Sequence, residues 1–325
     1  MKKFVAAASL FVCSLVLSTA PASADEWPNR FIKVVVGGGA GGSGDVLGRM
    51  LAEQLSTSLK QQFVVENRVG AGGTIGTQSM ASSPPDGYTV GITLLSTISL
   101  APVITPSVTY NSLNDFTHIA YIAGAPVLLS ANPKTGVKTL PEFVRYAEGK
   151  MFTFATSGVG TDGHLMGELI AQALKVKTEH VPYKSAAQGM TDVVAGHVPF
   201  STLTLASAAP FVRSGQINGV AVTAPERMAD YPDVPTFKEL GHADVTGTTW
   251  YLLSGPANMP PDVVAKLNRE VRTIMAKPEI QARLRRDGFL SEQMSPAEVK
   301  AFVAKENARW KPLIESIGLA AHKGG

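Results

Sequence analysis

Cysteine is nearly absent: there is one, Cys13, in 325 residues. That excludes a disulfide framework and any cysteine-based zinc or iron–sulfur centre. Charge is also scarce. Asp, Glu, Lys and Arg make up 17% of the chain, against roughly 25% in an average soluble domain. The apolar fraction of 45% is ordinary, which excludes a disordered chain. A formal net charge of +3 with no clustered basic face is not a nucleic-acid footprint. The six histidines (His118, His164, His180, His197, His242 and His322) lack H-x-x-x-H and H-E-x-x-H spacing. No metal site is expected, and each His reads as a structural or surface residue. Neither Ser43 nor Ser157 lies in G-x-S-x-G, and no spacing supports a Ser-His-Asp set.

Long apolar runs are missing beyond the N-terminus, so no transmembrane helix is expected there. At the N-terminus, Lys2 and Lys3 precede the apolar run Phe4 to Leu17, and Ala22-Ser23-Ala24 forms an A-x-A exit. This predicts a secretory signal over residues 1–24, cleaved after Ala24, with export in the unfolded state. The mature chain of 301 residues then starts at Asp25. Lys2, Lys3 and Cys13 leave with the signal, so 27 basic residues face 26 acidic ones, the charge falls to +1, and no Cys remains. Ordinary packing must hold such a protein together.

What is present is an alternation of strand and helix patterns. Lys33–Val36 is a β-branched run. Val46–Leu59 follows, with Leu47, Met50, Leu51 and Leu55 on one helical face. Phe63–Glu66, Tyr88–Leu95, Val127–Ala131, Phe152–Ala155, Glu179–Val181, Val198–Leu203 and Val220–Thr223 read as strands. Gly73–Ala81, Leu140–Glu148, Gly163–Leu174 and Ala187–Ala195 read as helices. The final third is helical, over Pro261–Ala276, Pro278–Asp287 and Pro296–Ile317, the last opened by Ser295 as N-cap. Strand–helix alternation predicts parallel sheets flanked by helices. The alternation restarts once, predicting two lobes with crossings near residues 124 and 245.

Glycine is concentrated in Gly37-Gly38-Gly39-Ala40-Gly41-Gly42-Ser43-Gly44-Asp45, between a strand and a helix. Bare amides at a helix N-terminus favour an anion. A second reading competes: Gly39-x-Gly41-x-x-Gly44 matches G-x-G-x-x-G, with Glu66 ending the next strand 22 residues later, as in a dinucleotide site. An exported protein meets little NAD, which counts against that reading. Ala155-Thr156-Ser157-Gly158-Val159-Gly160-Thr161 also runs from strand to helix and offers amides and hydroxyls, with Thr161 or Asp162 as an alternative simple N-cap. Leu95-Ser96-Thr97 leaves a third strand. All three loops fall at carboxyl ends of strands, where α/β proteins place their ligands.

The chain resembles the solute-binding receptors of tripartite tricarboxylate transporters, the Bug family of periplasmic binding proteins. The motifs that carry this are Gly41-Gly42-Ser43-Gly44-Asp45-Val46, Val64-Val65-Glu66-Asn67-Arg68-Val69-Gly70-Ala71-Gly72-Gly73 and Pro85-Asp86-Gly87-Tyr88-Thr89. Ser157-Gly158-Val159-Gly160-Thr161 with His164, His180-Val181-Pro182-Tyr183-Lys184 and Asp233-Val234-Pro235-Thr236 complete the set. They run in order over nearly the whole mature chain.

The resemblance implies an α/β, two-lobed periplasmic binding protein fold, each lobe a mostly parallel sheet flanked by helices, joined by a hinge. Lobe 1 would comprise 25–124 plus 246–325, and lobe 2 would comprise 125–245. It further implies no catalysis, no cofactor and no metal. The partners would be a small carboxylate ligand and membrane transporter subunits, for a monomer in the periplasm. The ligand residues it points to are Gly38, Gly39, Ala40, Ser43, Gly44 and Asp45; Ser96 and Thr97; Ser157, Gly158, Gly160 and Thr161; and Thr204. The sequence departs from the family at Gly37 and Gly38, where Pro and an aromatic residue are usual, and at Thr204, where a carboxylate or amide is common. These departures predict a widened pocket for a bulky or aromatic acid. The rival functions are an exported NAD-binding oxidoreductase, an exported serine hydrolase, and a solute sensor for a partner kinase.

Overall fold

The computed structural model describes residues 26–316 and 318–320. The expected signal segment 1–24, Asp25, Ile317 and His322 lie outside the described residues. Three parallel strands open the fold: β1 (Ile32–Val36), β2 (Phe63–Asn67) and β3 (Thr89–Leu94), in the order β2-β1-β3. The crossovers are α1 (Ser43–Leu59) and α2 (Thr74–Ala81). Leu47, Met50, Leu51 and Leu55 of α1 are buried against β1, as their 3.6-residue spacing requires. Each such side chain contributes about 1.5–3 kcal/mol through burial. A helical turn at Ser96–Leu100 and the short α3 (Ala101–Ile104) follow β3.

A second parallel trio uses β5 (Met151–Thr156), β6 (Lys177–Pro182) and β7 (Phe200–Thr204), in the order β7-β5-β6. Helices α4 (Leu140–Ala147), α5 (Asp162–Leu174), α6 (Ala186–Ala195) and α7 (Leu205–Arg213) connect and cover it, and β8 (Asn218–Val222) follows. Phe143, Phe152, Phe154 and Phe200 fill one face, with Phe143 edge-on to Phe152 and Phe200 at 4.9 and 5.1 Å between centroids.

Between the trios run two strands that the periodicity did not reveal in full. β4 spans Phe116–Ala131, not only 127–131, and β9 (Thr248–Pro256) was not anticipated. β4 pairs antiparallel with β9 as far as Pro126. From Val127 and Leu128 it pairs with β7 and β8, again antiparallel. Both strands are buried on both faces, so no in–out alternation marks them, and Gly124 and Pro126 read as loop residues. Pro126 sits where β4 changes partners, a place where a missing N–H is tolerated. Each half is thus a parallel trio completed by antiparallel strands, and the two halves share β4. Helix α7 was not expected, and it carries Pro210 inside it.

Helices α8 (Pro261–Met275), α9 (Pro278–Arg286) and α10 (Pro296–Ser316) return to the first half. Ser295 opens α10 as expected: its hydroxyl accepts from Glu298 N–H, and Glu298 accepts from Ser295 N–H. Trp250 and Trp310 are fully buried, and both donate their indole N–H to the buried Glu306 at 3.0 and 2.8 Å. His118 is likewise structural. It bridges Ser112 and Ser254, and burial pushes it down to about 4.

Candidate functional site: a cavity between the two parallel trios

The carboxyl ends of β1, β2 and β3 face those of β5, β6 and β7 across a cavity of about 720 Å³. That volume suits a small organic ligand. The glycine loop after β1 forms one wall. Gly37 must lack a Cβ, because one would lie 2.5 Å from the carbonyl of Gly73, and Gly41 takes φ +80. Asp45 fixes the loop. Its carboxylate accepts from Gly41 N–H at 3.0 Å, from Asn67 Nδ2 at 2.9 Å and from Arg49 Nε at 3.0 Å, while Asn67 Nδ2 also donates to Gly38 O. Burial alone would raise the Asp45 carboxyl, but the Arg49, Gly41 and Asn67 hydrogen bonds outweigh it and hold the group low. The Asp45 charge is therefore committed to loop shape and neutralised by Arg49.

The opposite wall is the loop from Thr156 to Thr161. Thr161 occupies the N-cap position of α5, but its hydroxyl donates to Gly158 O at 2.8 Å instead of capping. Asp162 accepts from Thr249 Oγ1, and the nearby amides of Asp162 and Gly163 also favour its charged form. Burial raises its carboxyl against those bonds. At the floor, Ser43 Oγ meets Thr204 Oγ1 at 2.7 Å and Ser207 Oγ at 3.0 Å, joining the two halves directly. The buried Tyr251 hydroxyl also reaches Ser43 and Thr204. Burial, with the charge of Asp162, raises its pKa.

Of the residues expected at the site, Gly38, Gly39, Ser43, Gly44, Asp45, Ser96, Ser157, Gly158, Thr161 and Thr204 line this cavity. Three do not. Ala40 is exposed and stands outside the wall. Thr97 is fully buried, its hydroxyl bonded to Leu94. Gly160 turns its N–H to His164. Residues of the wall outside the expected set include Gly70 to Gly73, Asp162, Lys184, Gln188, Ser207 and Tyr251. The second glycine cluster and the Tyr183-Lys184 pair stood in the motifs without a role. Tyr251 lies on β9 and gave no signal.

The electrostatics follow from the helices. The first turns of α1, α5, α6 and α7 all contribute to the wall. Each N-terminus carries roughly half a positive charge. Among the described residues Lys184 is the one cationic side chain on the wall, and it has no ion-pair partner. The site attracts an anion through amides and hydroxyls. Glu66, which a dinucleotide reading assigns to ribose hydroxyls, is instead held by Lys33 Nζ at 2.9 Å and by Arg68, and it stands off the wall. The partners of Ser43 are hydroxyls, not an imidazole. No group of His, Cys, Asp and Glu among the described residues is arranged to hold a metal.

Residues 47–319 match the family described as "Tripartite tricarboxylate transporter family receptor". The chain belongs to the tripartite tricarboxylate transporter receptor family. Protein BugT of Bordetella pertussis is 30% identical over 325 residues, covering 98% of both chains. Among solved structures, R. palustris Rpa4515 with adipate is 30% identical with TM-score 0.88, covering 91% of this chain and 99% of that one. MatC from Rhodopseudomonas palustris with bound malate is 31% identical with TM-score 0.83, covering 89% and 100%. These likenesses run over both halves, so this receptor shares the whole two-lobed periplasmic binding protein fold with them.

Proposed function

We propose that this receptor captures a small organic carboxylate in the cavity between its two lobes and presents it to the membrane subunits of a tripartite tricarboxylate-type transporter. The observation that carries the reading is the convergence of four helix N-termini on one cavity whose wall, among the described residues, has a single cationic side chain. That arrangement suits a carboxylate better than a neutral solute. The adipate and malate held by the two similar R. palustris proteins support the same class. The protein acts as a monomeric, non-catalytic receptor in the periplasm, exported on residues 1–24. The lobes divide at 125 and 246. The change of β4 partners at Pro126 and the start of β9 at Thr248 support those boundaries.

Gly38 supports the further reading of a pocket widened for a bulky or aromatic acid. A Cβ there meets nothing within 4 Å, so the wall has empty space where a side chain would stand. Thermal unfolding with a panel of acids tests both statements. Full occupancy at about 100 times Kd adds roughly 2.7 kcal/mol, a rise of several degrees. A rise with aromatic or long-chain acids is expected. A rise confined to C4–C6 aliphatic acids removes the wide pocket, and a rise with NAD alone removes the receptor reading.

A further inference from the structure

We propose that His164 is a positioning residue that holds the ligand loop 157–161 in shape while its imidazole is neutral, and that protonation of this ring loosens the loop as pH falls. The proposal rests on the reading of that loop as a ligand wall.

His164 lies on the first turns of α5, buried, directly beneath the loop. Gly160 N–H donates to His164 Nδ1 at 3.2 Å. Nδ1 is therefore the unprotonated nitrogen, and the neutral ring carries its hydrogen on Nε2. Gly160 itself has φ +74, so this backbone turn is held by a side-chain acceptor and not by a neighbouring carbonyl. The other end of the loop rests on a second imidazole. His180 Nε2 lies 2.6 Å from Thr156 Oγ1, and that hydroxyl accepts from Gly158 N–H at 3.1 Å. The two rings are stacked, with centroids 3.9 Å apart and 13° between planes. Both ends of one glycine loop thus stand on a single stacked imidazole pair.

A proton on His164 Nδ1 has two effects. It converts the acceptor of Gly160 N–H into a donor, so two donors face each other. It also places a cation against the second ring. The groups facing His164 decide how it titrates. From its own helix Glu168 Oε1 lies 3.9 Å from Nε2, and that carboxylate also accepts from Thr178. From β6 comes His180, which on its other face stacks on uncharged Phe154 of β5. Asp162, two residues earlier, is turned to Thr249 of β9 and to backbone amides. Burial lowers His164, and burial together with His164 lowers His180 to about 4. The sign follows from these directions. A depressed His is neutral in the ordered loop, so loop order is complete above the ordinary His range near 6.5 and is lost as pH falls below it. The loss is up to about tenfold per pH unit for one proton.

Amide hydrogen exchange of Gly158 and Gly160 in the purified protein tests this without a ligand, normalised as protection factors at pH 7.5 and pH 5. In His164→Asn the side-chain oxygen occupies the place of Nδ1 and does not titrate in this range. The expected result is a fall in protection of tenfold or more at Gly160 in the wild type and a clearly smaller fall in His164→Asn, where only His180 still titrates beneath the loop. In His164→Ala protection is low at both pH values. Flat protection in the wild type, an equal fall in His164→Asn, or wild-type protection in His164→Ala overturns the proposal. Repeating the acid panel at both pH values separates the readings. A loop that loosens with no acid binding at either pH leaves the imidazole support intact and removes the ligand role.

Discussion

Gly38 is the residue on which the proposed wide pocket turns. It lies on the cavity wall, its carbonyl is anchored by Asn67, its backbone is not left-handed, and a Cβ there meets nothing within 4 Å. Gly38→Phe is predicted to fold normally and to fill part of the cavity. The melting rise given by aromatic or long-chain acids should disappear while that given by small C4 acids survives. An unchanged response to the bulky acids would show that the space at Gly38 is not used. Asp45 shows the opposite case. The family resemblance pointed to it as a ligand residue, and it does line the cavity, but its carboxylate is consumed by Gly41, Arg49 and Asn67. Residue type and position were legible there, whereas hydrogen-bond partners 22 residues away were not. Thr97 differs for a similar reason: its hydroxyl closes on Leu94 in the same turn, a local alternative open to any Thr.

At the scale of elements, the site is as firm as the seating of α1 and α5. Gly163 lies in the first turn of α5, where Ala would ordinarily improve a helix by up to about 1 kcal/mol. Here a Cβ would lie 2.2 Å from the Thr202 carbonyl of β7, and Thr202 Oγ1 already ties the two elements by donating to Gly163 O at 2.8 Å. Overpacking against a backbone atom wins over propensity. Gly163→Ala is predicted to cost about 1–3 kcal/mol, measured by denaturant unfolding. A stabilised variant would contradict the close seating of α5 on β7. Apart from the short α3 and the proline-containing α7, the helices and the six strands of the two parallel trios were readable because turn residues punctuate them and their apolar faces repeat. The long β4 and β9 were not. Their residues are buried on every side, and the pairing that makes them strands is with each other across more than 100 residues. Tyr251 was lost from the expected site with β9.

At the scale of the whole molecule, one strand passes through both halves, and the loops that line the cavity meet across it. Ser43 bonds Thr204 and Ser207, and a Cβ on Gly39 would stand 3.1 Å from Ser185 Cβ. This is a closed arrangement, in which the amides of both loops and four helix N-termini act on one volume. The restart of the strand–helix alternation foretold two lobes, but the sharing of β4 between them emerges only from the register. The central claim is that a carboxylate is held by main-chain amides between those loops. A crystal structure of the protein with the acid that most raises its melting temperature tests it directly. The account predicts the carboxylate between the first turn of α1 at Ser43 and the Ser157–Gly158 loop, within hydrogen-bond distance of backbone N–H groups from both halves. A carboxylate bound outside this cavity, or inside it but held by Lys184 alone, would contradict the account.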